Sequence, residues 1–181
     1  MKKFLLVLGI VMVLVIGGLM YLRMETKSKS PADVSSFSRG DLEISITYNR
    51  PFKKGRVIFG ELVPFEKVWR TGANEATIFK TNKDLTFGDK VLKAGSYSMF
   101  TIPEEHNWTI IFNSETGQWG ITFNGDANRN PDKDVLTVQA TSVQQEKEFE
   151  QFTIAVENWE EEMQLIFMWD KTLVSVPFTA K

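Results

Sequence analysis

Leu42-Glu43-Ile44-Ser45-Ile46-Thr47-Tyr48-Asn49 alternates apolar and polar side chains without a break. Successive side chains of an extended chain point to opposite faces, so this period of two predicts a strand with one face buried and one in water. Pro51 ends it, because proline cannot donate to a strand ladder. The same signal returns downstream. Trp108, Ile110 and Phe112 alternate with polar neighbours, as do Leu136, Val138 and Ala140, then Phe152, Ile154 and Val156, then Val174, Val176 and Phe178. Turn residues separate these runs: Lys53-Lys54-Gly55, Gly88-Asp89 (a two-residue hairpin), Ala94-Gly95, Thr116-Gly117 and Asp170-Lys171. Shorter runs at 56–59, 76–81 and 119–123 read as further strands, with a short helical turn near Phe65 and a charged turn or short helix at 144–148. Residues 165–169 are apolar on both faces and read as a central strand. The sum is about a dozen short strands and no long soluble helix, an all-β chain folded as an antiparallel β-sandwich of the jelly-roll or Ig-like kind.

Upstream of these strands the pattern changes. Residues 4–22 form an unbroken apolar run preceded by Lys2 and Lys3. As a helix it would be about 30 Å long, enough to cross the hydrocarbon core of a bilayer. A cleaved signal peptide has a shorter apolar region and a small-residue cleavage site after it, whereas large residues from Met20 to Met24 follow here. The organisation predicted is therefore an uncleaved anchor at 1–24, a flexible tether at 25–38 rich in Ser, Lys and Thr, and a β domain at 39–179. Lys2 and Lys3 nearly balance Arg23, Lys27 and Lys29, but the very short amino-terminal tail favours a cytoplasmic start and an exported domain. The expected location is a bacterial inner membrane with the domain in the periplasm.

Composition excludes several chemistries. The chain has 181 residues, no cysteine and one histidine, His106. Disulfides, thiol nucleophiles, iron–sulfur clusters and a lipoprotein anchor all need cysteine, and a zinc site needs several Cys or His ligands. A net charge of −2 gives no support for nucleic-acid binding, which usually shows as a basic domain.

The least generic stretch is Trp69-Arg70-Thr71-Gly72-Ala73-Asn74-Glu75-Ala76-Thr77. Gly72 and Asn74 tolerate positive φ, so the stretch predicts a tight corner between two strands, with Arg70 and Glu75 placed to pair across it. That pair locks a structural corner or marks a polar site at the end of a sheet. Tyr48, Arg50, Arg56, Arg70, Asn74 and Glu75 form the candidate ligand site, since guanidinium forks suit carboxylate, phosphate or sugar. Asp126, Asn128, Asn130, Asp132 and Asp134 place oxygens at alternate positions, as in a calcium loop. However, Pro131 and Thr137 stand where the turn glycine and the bidentate glutamate would be. His106 is the only histidine base for a serine nucleophile, and Glu75 with Glu61 or Glu104 is the carboxylate pair of a conceivable hydrolase. Asn107-Trp108-Thr109 matches a glycosylation acceptor formally, but it opens a strand.

Taken together, Tyr48-Asn49-Arg50-Pro51, 54–60, Leu62-Val63-Pro64, 68–77, Leu92, Ala94-Gly95, Tyr97, Ile102-Pro103, Trp108, Asn113, Trp119-Gly120, Trp169 and Val176-Pro177-Phe178 resemble the bacterial domain-of-unknown-function family 2911. The resemblance covers 37–178 and leaves the anchor outside. It implies an exported, β-rich envelope protein and carries over no activity and no catalytic residue. The Asn-rich loop at 124–134 departs from the family pattern. The function expected is a membrane-anchored extracytoplasmic binding module of the cell envelope that takes a small-molecule, glycan or protein ligand without a cofactor. The alternative is an envelope hydrolase built on Arg70 and Glu75.

Overall fold

The computed structural model describes residues 2–180. Met1, and the side chains of Lys2, Lys3 and Arg23 on which the orientation count partly rests, lie outside the described residues. Helix α1 spans Lys2–Lys29 and is followed by β1 (Ala32–Arg39), β2 (Leu42–Asn49), β3 (Thr77–Thr81), β4 (Leu85–Phe87) and β5 (Lys90–Leu92). Then come β6 (Gly95–Pro103), β7 (Asn107–Asn113), a single 3-10 turn (Pro131–Lys133), β8 (Asp134–Trp159) and β9 (Glu162–Ala180). All strand pairs are antiparallel and join one nine-stranded sheet in the order β1-β2-β3-β6-β7-β8-β9-β4-β5. The all-β antiparallel reading of the sequence holds, and the predicted Gly88-Asp89 hairpin is the β4–β5 connection.

Two long strands replace several short ones. β8 runs for 26 residues and β9 for 19. The charged segment 144–148, expected to turn, lies within β8, and Asp170-Lys171, expected to reverse the chain, lies within β9. Pairing slips there: Gln144 faces Thr172, Phe149 faces Asp170 and Thr153 faces Met168. β8 thus carries extra residues that bulge outward, and Asp170 takes a φ of 53° to follow. The true reversal is at Glu160-Glu161, where Glu160 has a φ of 54°.

Those kinks let the sheet fold over on itself. β2 and β8 are separated by three strands in the sheet order, yet they face one another across the core. Tyr48 meets the Phe152 ring edge-on at 5.9 Å, and its hydroxyl accepts the Ile154 N–H at 3.0 Å. At the centre Trp69 stacks on Trp169 at 5.9 Å, with Trp108, Phe152 and Phe59 packed around the pair. Two halves of one curled sheet, rather than two independent sheets, enclose the core between them.

The expected tether at 25–38 is corrected. α1 continues to Lys29, where Lys29 pairs with Glu25 one turn back at 2.6 Å. After Ser30-Pro31 the chain enters β1, which pairs along its whole length with β2 and packs Phe37 against the core. Low apolar content hid this strand, because an edge strand needs to bury only one face lightly. The segments 56–59 and 119–123, expected as strands, form only the isolated bridges Phe59–Val63, Glu75–Trp119 and Ile121–Ala127, and the region of Phe65 is turn rather than helix.

Replacing Tyr48 by Phe should destabilise the folded domain by about 1–3 kcal/mol, because it leaves the buried Ile154 N–H without an acceptor. Burial holds the Tyr48 phenol above its ordinary pKa. The folded pKa therefore lies above the unfolded one, so this contribution is complete below about pH 10 and fades as pH rises through the folded value. Denaturant unfolding of wild type and variant from pH 8 to 11 should show the gap narrowing toward the alkaline end.

Candidate functional site

Residues 69–77 form the expected corner. The Trp69 and Thr101 backbones exchange hydrogen bonds at 2.7 and 2.9 Å, which fastens the corner to β6. The Trp69 indole N–H donates to the Gly72 carbonyl at 3.0 Å, so the ring that anchors the core also closes the turn. Thr71 has a φ of 56°, unusual for a β-branched residue. It is held there because its hydroxyl meets Thr101 Oγ1 at 3.1 Å and its carbonyl accepts the Thr77 hydroxyl at 2.6 Å. Gly72 has a φ of 151°, and a Cβ there would lie 2.9 Å from the Asn49 carbonyl oxygen. Only glycine fits against β2 at this point.

The same corner receives the end of α1. Arg50 N–H donates to the Pro31 carbonyl at 2.8 Å, Asn74 Nδ2 reaches the Ser30 carbonyl at 3.5 Å, and Lys27 Nζ pairs with Glu75 Oε1 at 2.9 Å. The helix exit is thus joined to the domain instead of swinging on a linker.

Between the helix exit, the corner and the loop after β2 lies a cleft of about 470 Å³. Lys29, Lys54, Arg56 and Arg70 line it, with Val63, Trp69 and Trp169 among its apolar walls and no Asp or Glu among its described lining residues. Arg70 is the unusual member. It is half-buried, its Nε has no hydrogen-bond partner, and it belongs to no ion pair among the described residues. Desolvation alone pulls its pKa below the usual guanidinium value. The Trp169 Nε1 is likewise buried without a partner, although the residue lines the cleft. Arg70 also borders a second hollow of about 580 Å³ on its other side, with Ile121, Asp126 and Arg129.

The structure separates the residues read from the sequence. Arg56, Arg70 and Asn74 come together at the cleft. Tyr48 is in the core. Arg50 is used by the fold: it pairs with Asp33 at 2.9 Å and donates to the Phe152 carbonyl and Thr153 Oγ1. Arg56 spends part of its fork on the Lys53 and Phe52 carbonyls. The expected Arg70–Glu75 pair does not form, because Glu75 faces Lys27 and accepts from Asn49 Nδ2 at 3.1 Å. His106, Glu104 and Glu105 are exposed beside the β6–β7 connection, and Glu61 is exposed in the loop after β2.

Several side chains of the oxygen-rich loop have partners of their own. Asp134 takes a bidentate bond from Arg129, at 2.6 Å for the shortest contact, and another from Asn113. Asn130 caps the 3-10 turn by accepting from Asp132 N–H. Asp126 lines the second hollow, and Asn128 sits on the connection to Gly120. Among the described residues no three His, Asp or Glu side chains are grouped to hold a metal ion.

Sequence reasoning missed Lys29, Lys54 and Trp169 as cleft residues, because only the fold brings the helix exit and β9 to the corner. It also missed why Gly120 is glycine. A Cβ there would lie 2.1 Å from Arg70 Cδ and 2.8 Å from the Asn74 carbonyl oxygen. Gly120 is the gap through which the Arg70 side chain passes.

A family model described as a protein of unknown function, DUF2911, matches residues 30–178. No curated protein and no solved structure matches the chain.

Gly120→Ala should expel Arg70 from its channel and destabilise the domain by about 1–3 kcal/mol, the usual range for overpacking a tight site. Paired with Arg70→Gly, which empties the channel, the same substitution should cost less. A double-mutant cycle of unfolding free energies reads that coupling, and strict additivity would contradict the clash.

Proposed function

The chain belongs to the DUF2911 family, and from its structure we propose that it is a membrane-anchored extracytoplasmic module of the bacterial envelope that binds an anionic ligand in the cleft at its helix exit. One observation carries the reading: Arg70 is half-buried, its buried Nε has no hydrogen-bond partner, and it forms no ion pair among the described residues, in a cleft lined by three further cations. An uncompensated charge removed from water costs stability, and proteins retain such groups where a partner arrives from outside. The planar guanidinium fork suits carboxylate or phosphate, and Lys29, Lys54 and Arg56 add attraction without fixed geometry.

The anchor supports the placement. Within α1 an 18-residue window is long and apolar enough to cross a membrane, with a mean hydropathy of 1.5 and none of it buried. The domain begins directly after α1.

In detergent-solubilised full-length protein, phosphate or citrate should raise the melting temperature above that in chloride of equal ionic strength, following ligand linkage to the folded state. Arg70→Met should abolish that rise. Without ligand the variant should melt at or above the wild-type temperature, since it removes an unpaired charge from a half-buried site. A wild type indifferent to every anion, or a variant that still responds, would refute the binding reading. Placement is read separately. With no native cysteine, a Glu161→Cys variant in intact cells should react with a membrane-impermeant maleimide, and protection from it would put the domain on the other side.

A further inference from the structure

Resting on the binding reading above, we infer that the anion is the phosphate group of a membrane lipid in the leaflet from which α1 emerges, so that the cleft is filled from the bilayer. The argument begins with height. The apolar run ends at Leu22, while α1 continues to Lys29. At about 1.5 Å per residue Thr26 stands about 6 Å above Leu22 and Lys29 about 10 Å, so Thr26 falls within a headgroup layer about 5–8 Å deep and Lys29 just past its outer edge. Thr26 and Lys29, which line the cleft, belong to this last stretch of helix. Because Ser30, Pro31 and Lys27 are bonded to the corner, the cleft is held at the outer edge of the headgroup layer, where lipid phosphates lie within reach of its cations.

Its chemistry fits that level. A phosphodiester offers a singly charged, two-oxygen face to a guanidinium fork, and the remaining cations match a negatively charged leaflet. The loop after β2 carries both parts of an interfacial surface: Lys54 and Arg56 as cations, and Val57 and Leu62, which are 54% and 44% exposed, as apolar contacts. Leu62 lines the cleft mouth and is bonded to the Val57 carbonyl through its backbone N–H at 3.4 Å. Apolar side chains beside basic ones are the composition by which peripheral segments enter the headgroup–acyl boundary. A soluble anion would need the cations but not this apolar rim.

The test uses the full chain in lipid nanodiscs and in detergent, with three probes: phosphatidylglycerol, glycerol phosphate and inorganic phosphate. Phospholipid retained after exchange into detergent is counted by native mass spectrometry, and melting temperature is followed for each probe at constant ionic strength. Wild type should keep about one anionic lipid per chain and be stabilised by phosphatidylglycerol well below the concentration at which glycerol phosphate acts. Arg70→Met should weaken retention about ten- to hundredfold, the loss expected for a charge-assisted contact. Lys54→Met with Arg56→Met, both on a surface loop, should weaken it while leaving the fold intact, and Lys147→Met on the β8 bulge should not. If the two water-soluble phosphates stabilise the protein as well as the lipid does, the lipid source is wrong and the anion site stands. If none of the three acts, both readings fail. If Lys147→Met releases lipid as readily as Arg70→Met, retention is only surface charge and the inference is overturned.

Discussion

The Trp69 side chain joins two tasks that usually fall to different residues. Its ring stacks on Trp169 at the centre of the aromatic core, while its indole N–H closes the turn that ends at Gly72. The core therefore fixes the turn, and the turn fixes what lies on either side of it. Arg70 is directed into the channel beside Gly120, and Asn74 and Glu75 are presented to the helix exit. Strain at Thr71 persists because Thr101 and Thr77 hold it from two sides. A softer corner would let Arg70 turn outward to water, and the desolvated charge would vanish.

The two arginines near this corner show how position decides role. Arg50 and Arg70 have the same donor set. Arg50 follows β2 and finds Asp33, the Phe152 carbonyl and Thr153 within reach, so its charge is compensated and its geometry is structural. Arg70 passes beside Gly120, near the Asn74 carbonyl, and forms no ion pair among the described residues. The nearby acid, Glu75, is occupied by Lys27 from the helix. The end of α1 thereby takes up the carboxylate that the sequence assigned to Arg70.

Strand character was legible wherever burial imposes a period of two. β2 spans 42–49 as its alternation requires, β7 follows Trp108, Ile110 and Phe112, and the β4–β5 turn sits on Gly88-Asp89. The corner at 69–77 was legible because Gly72 and Asn74 allow what few residues allow. Other features lacked a local signal. A bulge and a turn both collect charged residues, so 144–148 and 170–171 looked like reversals, although only the pairing partner distinguishes the two. β1 lacks alternation strong enough to read, since its stability comes from its ladder to β2. Of the candidate site, Arg56, Arg70 and Asn74 were readable as polar groups flanking a corner. Trp169 was not, because its place beneath the cleft depends on the sheet folding over.

The rigid joint between helix and domain follows from the same geometry and governs what the cleft can meet. A flexible linker of the length first expected would let the domain sample many heights and tilts above a membrane. Here Arg50 N–H, Asn74 and Glu75 each take hold of residues 27–31, so the opening of the cleft keeps a fixed relation to the helix axis. Rigid attachment forgoes reach and gains orientation. For a protein gathering soluble ligands, reach would be the useful property. Fixed orientation relative to the helix axis is the property that the proposed lipid site requires.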